Sequence, residues 1–151
     1  MKPVAERITY ALRFRGEAVE LGAGRFWAES RAPCCAFGTA VADDGPDGQL
    51  ELAPGGDAVC RSEFSLHDDG SLIEVGEISF GDVGGITFRA SGSLVAEAEP
   101  GVRHGAAVWE VTGGHGKLAG VRGLVTSNFL LSDTGDLTDH HLGVLFVEPL
   151  T

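Results

Sequence analysis

Hydrophobic and polar side chains alternate along most of this chain. In the segment RITYALRF, four apolar side chains fall on one side of an extended backbone and polar or small residues fall on the other. Alternation with a period of two predicts β-strands with one buried face. The apolar side chains in this segment are Ile8, Tyr10, Leu12 and Phe14. The same pattern predicts strands at 35–42, 57–67, 71–80, 86–99, 105–112, 123–132 and 137–148, with a short extra run, QLELA, at 49–53.

Glycine- and aspartate-rich turns separate the predicted strands. DDGS, GDVGG and DTGD each fit a hairpin turn, and no long segment carries a helical period. Closing such an up-and-down sheet into a barrel removes its exposed edges. We expect an all-β, antiparallel up-and-down barrel of about eight strands, with residues 1–151 as a single domain.

The composition narrows the class of protein and its partners. The chain has 151 residues, of which 23 are glycine and 6 are proline, as suits one turn-rich all-β domain. Its formal net charge of -11 repels phosphate backbones and anionic lipid headgroups, so nucleic acid and membranes are poor partners. The N-terminal residues lack the apolar core of a signal peptide, and three cysteines argue against a disulfide framework. We expect reduced thiols and a cytoplasmic protein.

The segment TGGHGKLAGVRG, at 112–123, is the most distinctive in the sequence. It does not fit a phosphate-binding P-loop, because Leu118 rather than serine or threonine follows Lys117. Its glycines nearly match a dinucleotide-binding fingerprint, but that motif needs a following helix and LVTSNFLL indicates a strand. We interpret the segment as a corner, where glycines let one strand leave the sheet and the next enter it.

The pattern strand–GGxGKLAGxxG–strand also resembles a segment of the allene oxide cyclase-like barrel superfamily, which includes the plant allene oxide cyclases and dirigent proteins. Gly113, Gly114, 116–120 and Gly123 fit that segment, and His115 replaces its usual threonine. The resemblance implies an eight-stranded barrel, often oligomeric, with a hydrophobic cavity. In that cavity the family's enzymes steer apolar intermediates and dirigent proteins guide couplings. It transfers no catalytic residues, because those lie outside the glycine segment.

Glu77 is the best carboxylate for acid–base chemistry. A two-residue Asp-Gly turn before it would set Ser62 opposite Glu77, with Phe64 on the same apolar, inward face. A carboxylate on such a face should have a raised pKa, which suits a general acid or base. The structural alternative is that Glu77 lies near a rim or pairs with an arginine such as Arg89.

The last hairpin supplies a second set of polar residues. With DTGD as its turn, Asn128 lies opposite His141, and Asp139 shares their face. Asp139 can then orient the imidazole while Asn128 donates to a developing oxyanion. The alternative is a polar outer face near a turn, with His140, which points the other way, as the cavity histidine. Beyond His141 the strand is apolar on both faces, so a subunit contact would cover one of them.

Tyr10 and Trp109 are large amphipathic rings that either line a cavity and hydrogen-bond a ligand or pack in the core. With Ser62 and Phe64, they are the candidate substrate-binding residues. The histidines have no metal-ligand spacing, and we expect neither a metal nor an organic cofactor.

These observations lead to the hypothesis of a cofactor-independent cyclase or isomerase. Its substrate would be a hydrophobic small molecule in the barrel, such as a natural-product or oxidised-lipid intermediate. Glu77 would act as acid or base, and Asn128, His140 or His141 would position the substrate. Two alternatives stay open: a non-catalytic small-molecule-binding or dirigent-like barrel, and a purely structural module. We expect a homo-oligomer.

Overall fold

Ten β-strands joined into one sheet make up the computed structural model, which describes residues 5–42, 45–51, 56–95 and 99–148. No helix occurs in these ranges. The strands are β1 (Glu6–Gly22), β2 (Arg25–Pro33), β3 (Ala36–Ala42), β4 (Gly45–Glu51), β5 (Asp57–Leu66), β6 (Ser71–Phe80), β7 (Gly84–Leu94), β8 (Val102–Gly116), β9 (Arg122–Ser132) and β10 (Asp136–Val147).

Eight of these strands close into an antiparallel barrel. Neighbours follow the order β1-β2-β5-β6-β7-β8-β9-β10, and β10 pairs back onto β1 from Glu6↔Val147 to Glu17↔Asp136. Closure pairs the two strands that would otherwise be sheet edges. The expected all-β barrel of eight antiparallel strands is confirmed.

The β3–β4 hairpin is an addition to the up-and-down order. β2 pairs with β1 only over 15–22 of β1, which leaves the first half of β1 without β2 beside it. β4 takes that place in parallel, pairing 7–9 with 47–49. The predicted strand at 35–42 corresponds to β3, and 49–51 of QLELA belong to β4. Residues 52–53 of that run, and 96–98 of the predicted strand at 86–99, lie outside the described residues.

The sequence pattern did not predict β2. Three of its inward residues, Ala28, Ser30 and Ala32, are small and weakly apolar, whereas Trp27 lies on the outer face. The apolar–polar contrast that indicates a strand is therefore nearly absent there. Of the three cysteines, Cys60 on β5 is a buried free thiol, and the expectation of reduced thiols at Cys34 and Cys35 stays a prediction.

Two hairpins differ by one residue from their predicted register. The β5–β6 turn contains three residues, Asp68, Asp69 and Gly70, rather than two, so Leu66 pairs with Leu72. The β9–β10 turn, 133–135, has the same form. Each ends in a glycine at positive φ, 86° at Gly70 and 93° at Gly135, as three-residue hairpin turns usually require. A shift of one residue exchanges the two faces of a strand.

Inward side chains fill most of the barrel. We call the end with turns 23–24, 67–70 and 133–135 the upper end, and the end with connections 81–83 and 117–121 the lower end. Leu118 and Val121, from the glycine segment, are buried beside Val83 at the lower end. Gly116 and Gly120 have positive φ there, and β9 follows without a helix. The interpretation of this segment as a corner is confirmed.

Candidate functional site

Acidic, serine and histidine side chains interrupt the apolar inner face of the barrel. They come from five strands, and hydrogen bonds join five of them into two groups. The buried ones are Ser30, Ser62, Ser127, Asp139 and His141, and the partly buried Glu74 also faces inward.

Glu74 on β6 accepts a hydrogen bond from Ser62 on β5, with 2.6 Å between the Ser62 Oγ and Oε2. Burial raises the pKa of the Glu74 carboxyl to about 8; the Ser62 hydrogen bond opposes this rise and nearby Asp139 adds to it. The carboxyl is therefore mainly protonated at neutral pH.

Asp139 on β10 is the centre of the second group. The Ser127 hydroxyl donates to its Oδ1 at 2.6 Å, and Nε2 of His141 lies 2.9 Å from its Oδ2. When Nε2–H donates to the carboxylate, the other imidazole nitrogen, Nδ1, is an acceptor. The expected pairing of Asp139 with His141 is confirmed.

Glu74 and Asp139 face one small cavity. Its other walls are the apolar side chains of Phe64, Leu72, Phe129 and Leu137. Leu72 and Leu137 are the second residues of β6 and β10, which begin after two upper turns, so the cavity lies towards the upper end. Its volume of about 20 Å³ is enough for about one water molecule. A substrate-sized cavity, as the sequence led us to expect, is not present at this position, and a larger ligand requires neighbouring side chains to move.

Aromatic rings pack around the His141 imidazole. The ring centroid of Trp109 lies 4.3 Å from that of His141, Phe14 lies at 4.5 Å and Tyr10 at 6.4 Å. Among the described residues, three buried atoms of this group have no hydrogen-bond partner: Tyr10 Oη, Trp109 Nε1 and His141 Nδ1. Burial, with Cys60 and Asp139 nearby, raises the pKa of Tyr10 well above its usual range, so its hydroxyl keeps its proton.

Glu77 does not face the interior, contrary to our expectation. It is exposed on the outer face and pairs with Arg61 and Thr87. The three-residue turn before β6 is the reason, because it moves the inward positions of β6 by one residue. The inward carboxylate bonded to Ser62 is Glu74, not Glu77.

Asn128 and His140 also lie outside the barrel. They are exposed and pair with each other, whereas His141 pairs with the buried Ser127. The predicted register, with the four residues DTGD as the turn, set Asn128 opposite His141. The observed turn, 133–135, is one residue shorter and shifts that register by one. The expectation that Asn128 shares the face of His141 is wrong, as is a cavity position for His140.

The four candidate substrate-binding residues, Tyr10, Ser62, Phe64 and Trp109, are all buried inside the barrel. Their role in binding stays a prediction. Glu74 and Ser127 were not among the predicted site residues. The signal for Glu74 was the DDG sequence before β6, which fits a three-residue turn with a final glycine as well as a two-residue one.

The described ranges contain neither a cluster of metal-ligating side chains nor a membrane-spanning helix. No group of three or more histidine, cysteine or acidic side chains there has the arrangement of a metal site. Nor is any helix in those ranges long and apolar enough to cross a membrane.

Replacement of Glu74 by glutamine should change how stability depends on pH. The folded protein holds the Glu74 proton up to about pH 8, whereas the carboxyl has its ordinary pKa of 4.5 after unfolding, so the wild type loses stability as pH rises between these values. In urea titrations, we expect Glu74→Gln to gain stability relative to wild type over that interval, by at most about 1.4 kcal/mol per pH unit. The exposed control, Glu77→Gln, should stay within about 0.5 kcal/mol of wild type throughout. A stability difference between Glu74→Gln and wild type that does not change with pH would show that the Glu74 carboxyl is already ionised in the folded protein over this interval.

Comparison with known proteins identifies the fold. No protein-family model matches the sequence, and no curated protein matches it. A solved structure of a pterocarpan synthase dirigent protein is similar, with a TM-score of 0.57 over 97% of this chain and 93% of that chain, at 13% sequence identity. A likeness at this identity shows the fold alone. The barrel of this chain is dirigent-like.

Proposed function

We propose that this protein is a dirigent-like binding protein that takes a small, largely apolar molecule into the upper half of its barrel. The observation that carries the proposal is the position of Glu74 and Asp139 on one otherwise apolar cavity. Carboxyl groups against apolar walls lower stability unless hydrogen bonds or protonation compensate. Ligand recognition explains why the chain retains two of them there, because a few polar groups among apolar walls orient a bound molecule.

The aromatic residues at the upper end supply the movable part of this site. The rings of Phe26 and Phe64 stack at 5.0 Å between centroids, and the Phe129 ring lies 6.4 Å from Phe64. Arg103 lies above Phe26, with its guanidinium carbon 5.9 Å from the ring centroid. The rotamers of Phe64 and Phe129 can change without breaking the backbone ladder. A ligand would therefore enter by displacing these rings rather than by separating strands.

Two likenesses support binding inside the barrel. The similar solved structure is a dirigent protein. The glycine segment resembles the allene oxide cyclase-like superfamily, whose members hold apolar molecules in a barrel cavity. Neither likeness identifies the ligand of this chain.

Filling the cavity should block binding. We expect N-phenyl-1-naphthylamine, a neutral fluorescent probe, to bind the wild type saturably with one site per chain. Leu137→Phe, which extends a cavity wall, should weaken binding about tenfold or more by fluorescence titration, because the ring occupies the ligand's space. Leu130→Phe is the matched control on the outer face of β9. Equal loss in both variants, or in neither, would contradict an interior site.

A cofactor-independent cyclase or isomerase is the second candidate function, and the protonation of Glu74 favours it. The Glu74 carboxyl holds a proton at neutral pH and faces the same cavity as Asp139. Glu74 can donate its proton to a bound molecule while Asp139, already a hydrogen-bond acceptor, takes one from it. Such a reaction moves protons within one substrate and needs no external oxidant.

Proton transfer to carbon can be detected without knowing the product. Compounds that displace the naphthylamine probe are incubated with the protein in deuterated water, and mass spectrometry follows deuterium at carbon. We expect incorporation with wild type and Glu77→Gln and at least about a hundredfold less with Glu74→Gln, because general acid–base groups contribute about that much. If bound compounds are recovered unlabelled and unchanged, the enzyme function is contradicted and only the binding function remains.

We also propose that the protein forms a homo-oligomer through the outer face of β6–β9. Ile73, Val75, Val108 and Leu124 are each at least half exposed and line one shallow depression of about 650 Å³. Exposed apolar patches of this kind mark interaction sites. The Arg89–Glu110 ion pair at 3.5 Å lies in the same depression and supplies opposite charges for a second copy.

We call the depression lined by Ile73, Val75, Val108 and Leu124 the outer patch. A charge placed in the outer patch should separate the subunits. We expect the wild type to elute as an oligomer in size-exclusion chromatography with light scattering, and Leu124→Glu to elute as a monomer, because the carboxylate would be desolvated in the contact. Val19→Glu is the control, since Val19 is equally exposed but lies on the outer face of β1. A wild-type monomer at high protein concentration would contradict the proposal.

A further inference from the structure

Tyr10 and Trp109 pack against the His141 imidazole, each of the three residues carries an unpartnered buried polar atom, and none of them lines the cavity. Tyr10, Trp109 and His141 are 3%, 0% and 3% exposed, and both aromatic rings lie against the same imidazole. Buried polar groups are nearly always hydrogen-bonded, so three orphans around one ring require an explanation. Asp139 connects them to the cavity, because its carboxyl lines the cavity and bonds to His141.

The chemistry of these atoms selects among possible partners. The indole Nε1–H of Trp109 only donates, and the protonated Tyr10 hydroxyl is also able to donate. His141 Nδ1 accepts when Nε2–H is directed to Asp139. The group as a whole therefore offers two donors and one acceptor.

A neutral hydroxyl is the complement of this set, since its oxygen accepts two hydrogen bonds and its proton donates one. A ketone oxygen leaves Nδ1 without a donor. An ammonium group has no acceptor for Trp109, and a carboxylate would meet the acidic Glu74 and Asp139. A hydrocarbon leaves all three atoms unpaired.

We infer that the ligand of this barrel is an alcohol whose hydroxyl is bound jointly by Tyr10, Trp109 and His141. This inference rests on the proposed function, because it assumes that the interior admits a ligand. It assigns specificity to Tyr10, Trp109 and His141, which lie deeper in the barrel than Glu74 and Asp139. Alcohols should bind more tightly than ketones or hydrocarbons of the same skeleton, because buried polar groups discriminate against ligands that leave them unpaired.

The test uses three neutral molecules with one skeleton: 1-indanol, 1-indanone and indane. Each competes with N-phenyl-1-naphthylamine for the wild type. We expect 1-indanol to bind about tenfold more tightly than 1-indanone, the gain expected from one additional hydrogen bond, and to exceed indane, which makes none of the three bonds, by a larger factor. Tyr10→Phe and Trp109→Phe should each reduce the advantage over indane, because each removes one donor to the hydroxyl oxygen. Trp27→Phe, at the exposed tryptophan of β2, should leave it intact.

Stability without ligand provides an independent measurement. If the two donors are unpartnered in the free protein, Tyr10→Phe should leave the melting temperature unchanged or raise it, because it removes a buried polar group without a partner. If Tyr10→Phe lowers the melting temperature and leaves the affinity for 1-indanol unchanged, the Tyr10 hydroxyl stabilises the fold and does not bind the ligand. That result would overturn the inference.

The two proposals fail differently. Failure of the naphthylamine probe and all three indane compounds to bind would overturn the proposed function and this inference with it. Binding of indane or 1-indanone as tightly as 1-indanol would overturn the inference and leave the proposed function standing. The same holds if the probe binds and 1-indanol does not displace it.

Discussion

Strand register is the constraint on which the rest of this structure depends. In a closed barrel each wall residue faces the interior or the outside, and a shift of one residue exchanges the two sets. Two turns that end in Gly70 and Gly135 fix the register of β5–β6 and of β9–β10. They place Glu74 and Ser62 on one inner surface, and Asp139 and Ser127 on another part of it. A turn one residue shorter before β6 would instead place Glu77 inside.

The register brings two acids into an apolar interior, and each is stabilised there in a different way. Glu74 is neutralised by its own proton, since burial raises its pKa to about 8. Asp139 is held by hydrogen bonds from Ser127 and His141, which replace the water it has lost. The two groups thus reach one cavity with different hydrogen-bond partners. This difference makes the site suitable for orienting a polar ligand and, in the second candidate function, for moving a proton.

Alternation along the sequence was sufficient for most of the fold and for part of the site. It indicated the strands that face the core with large apolar residues, and it grouped Asp139 with His141 correctly. It missed β2, whose inner face is built from Ala28, Ser30 and Ala32. It also assigned Glu77 and Asn128 to the wrong side. Alternation shows which residues of a strand share a face, but the length of the turn decides which of the two faces points into the barrel. The cavity volume depends on how Phe64 and Phe129 pack in three dimensions, which no sequence pattern contains.

The inner site and the outer patch share strands. β6 carries Glu74 inside and Val75 outside, and β8 carries Trp109 inside and Val108 outside. Adjacent residues on opposite faces of one strand move together, because the backbone that joins them is stiff and bonded to both neighbouring strands. A second copy packed on the outer patch would therefore restrain the wall behind Glu74 and Trp109. Under the proposed function, the mobile part of the site would then be confined to the aromatic side chains at the upper end, where a ligand would enter.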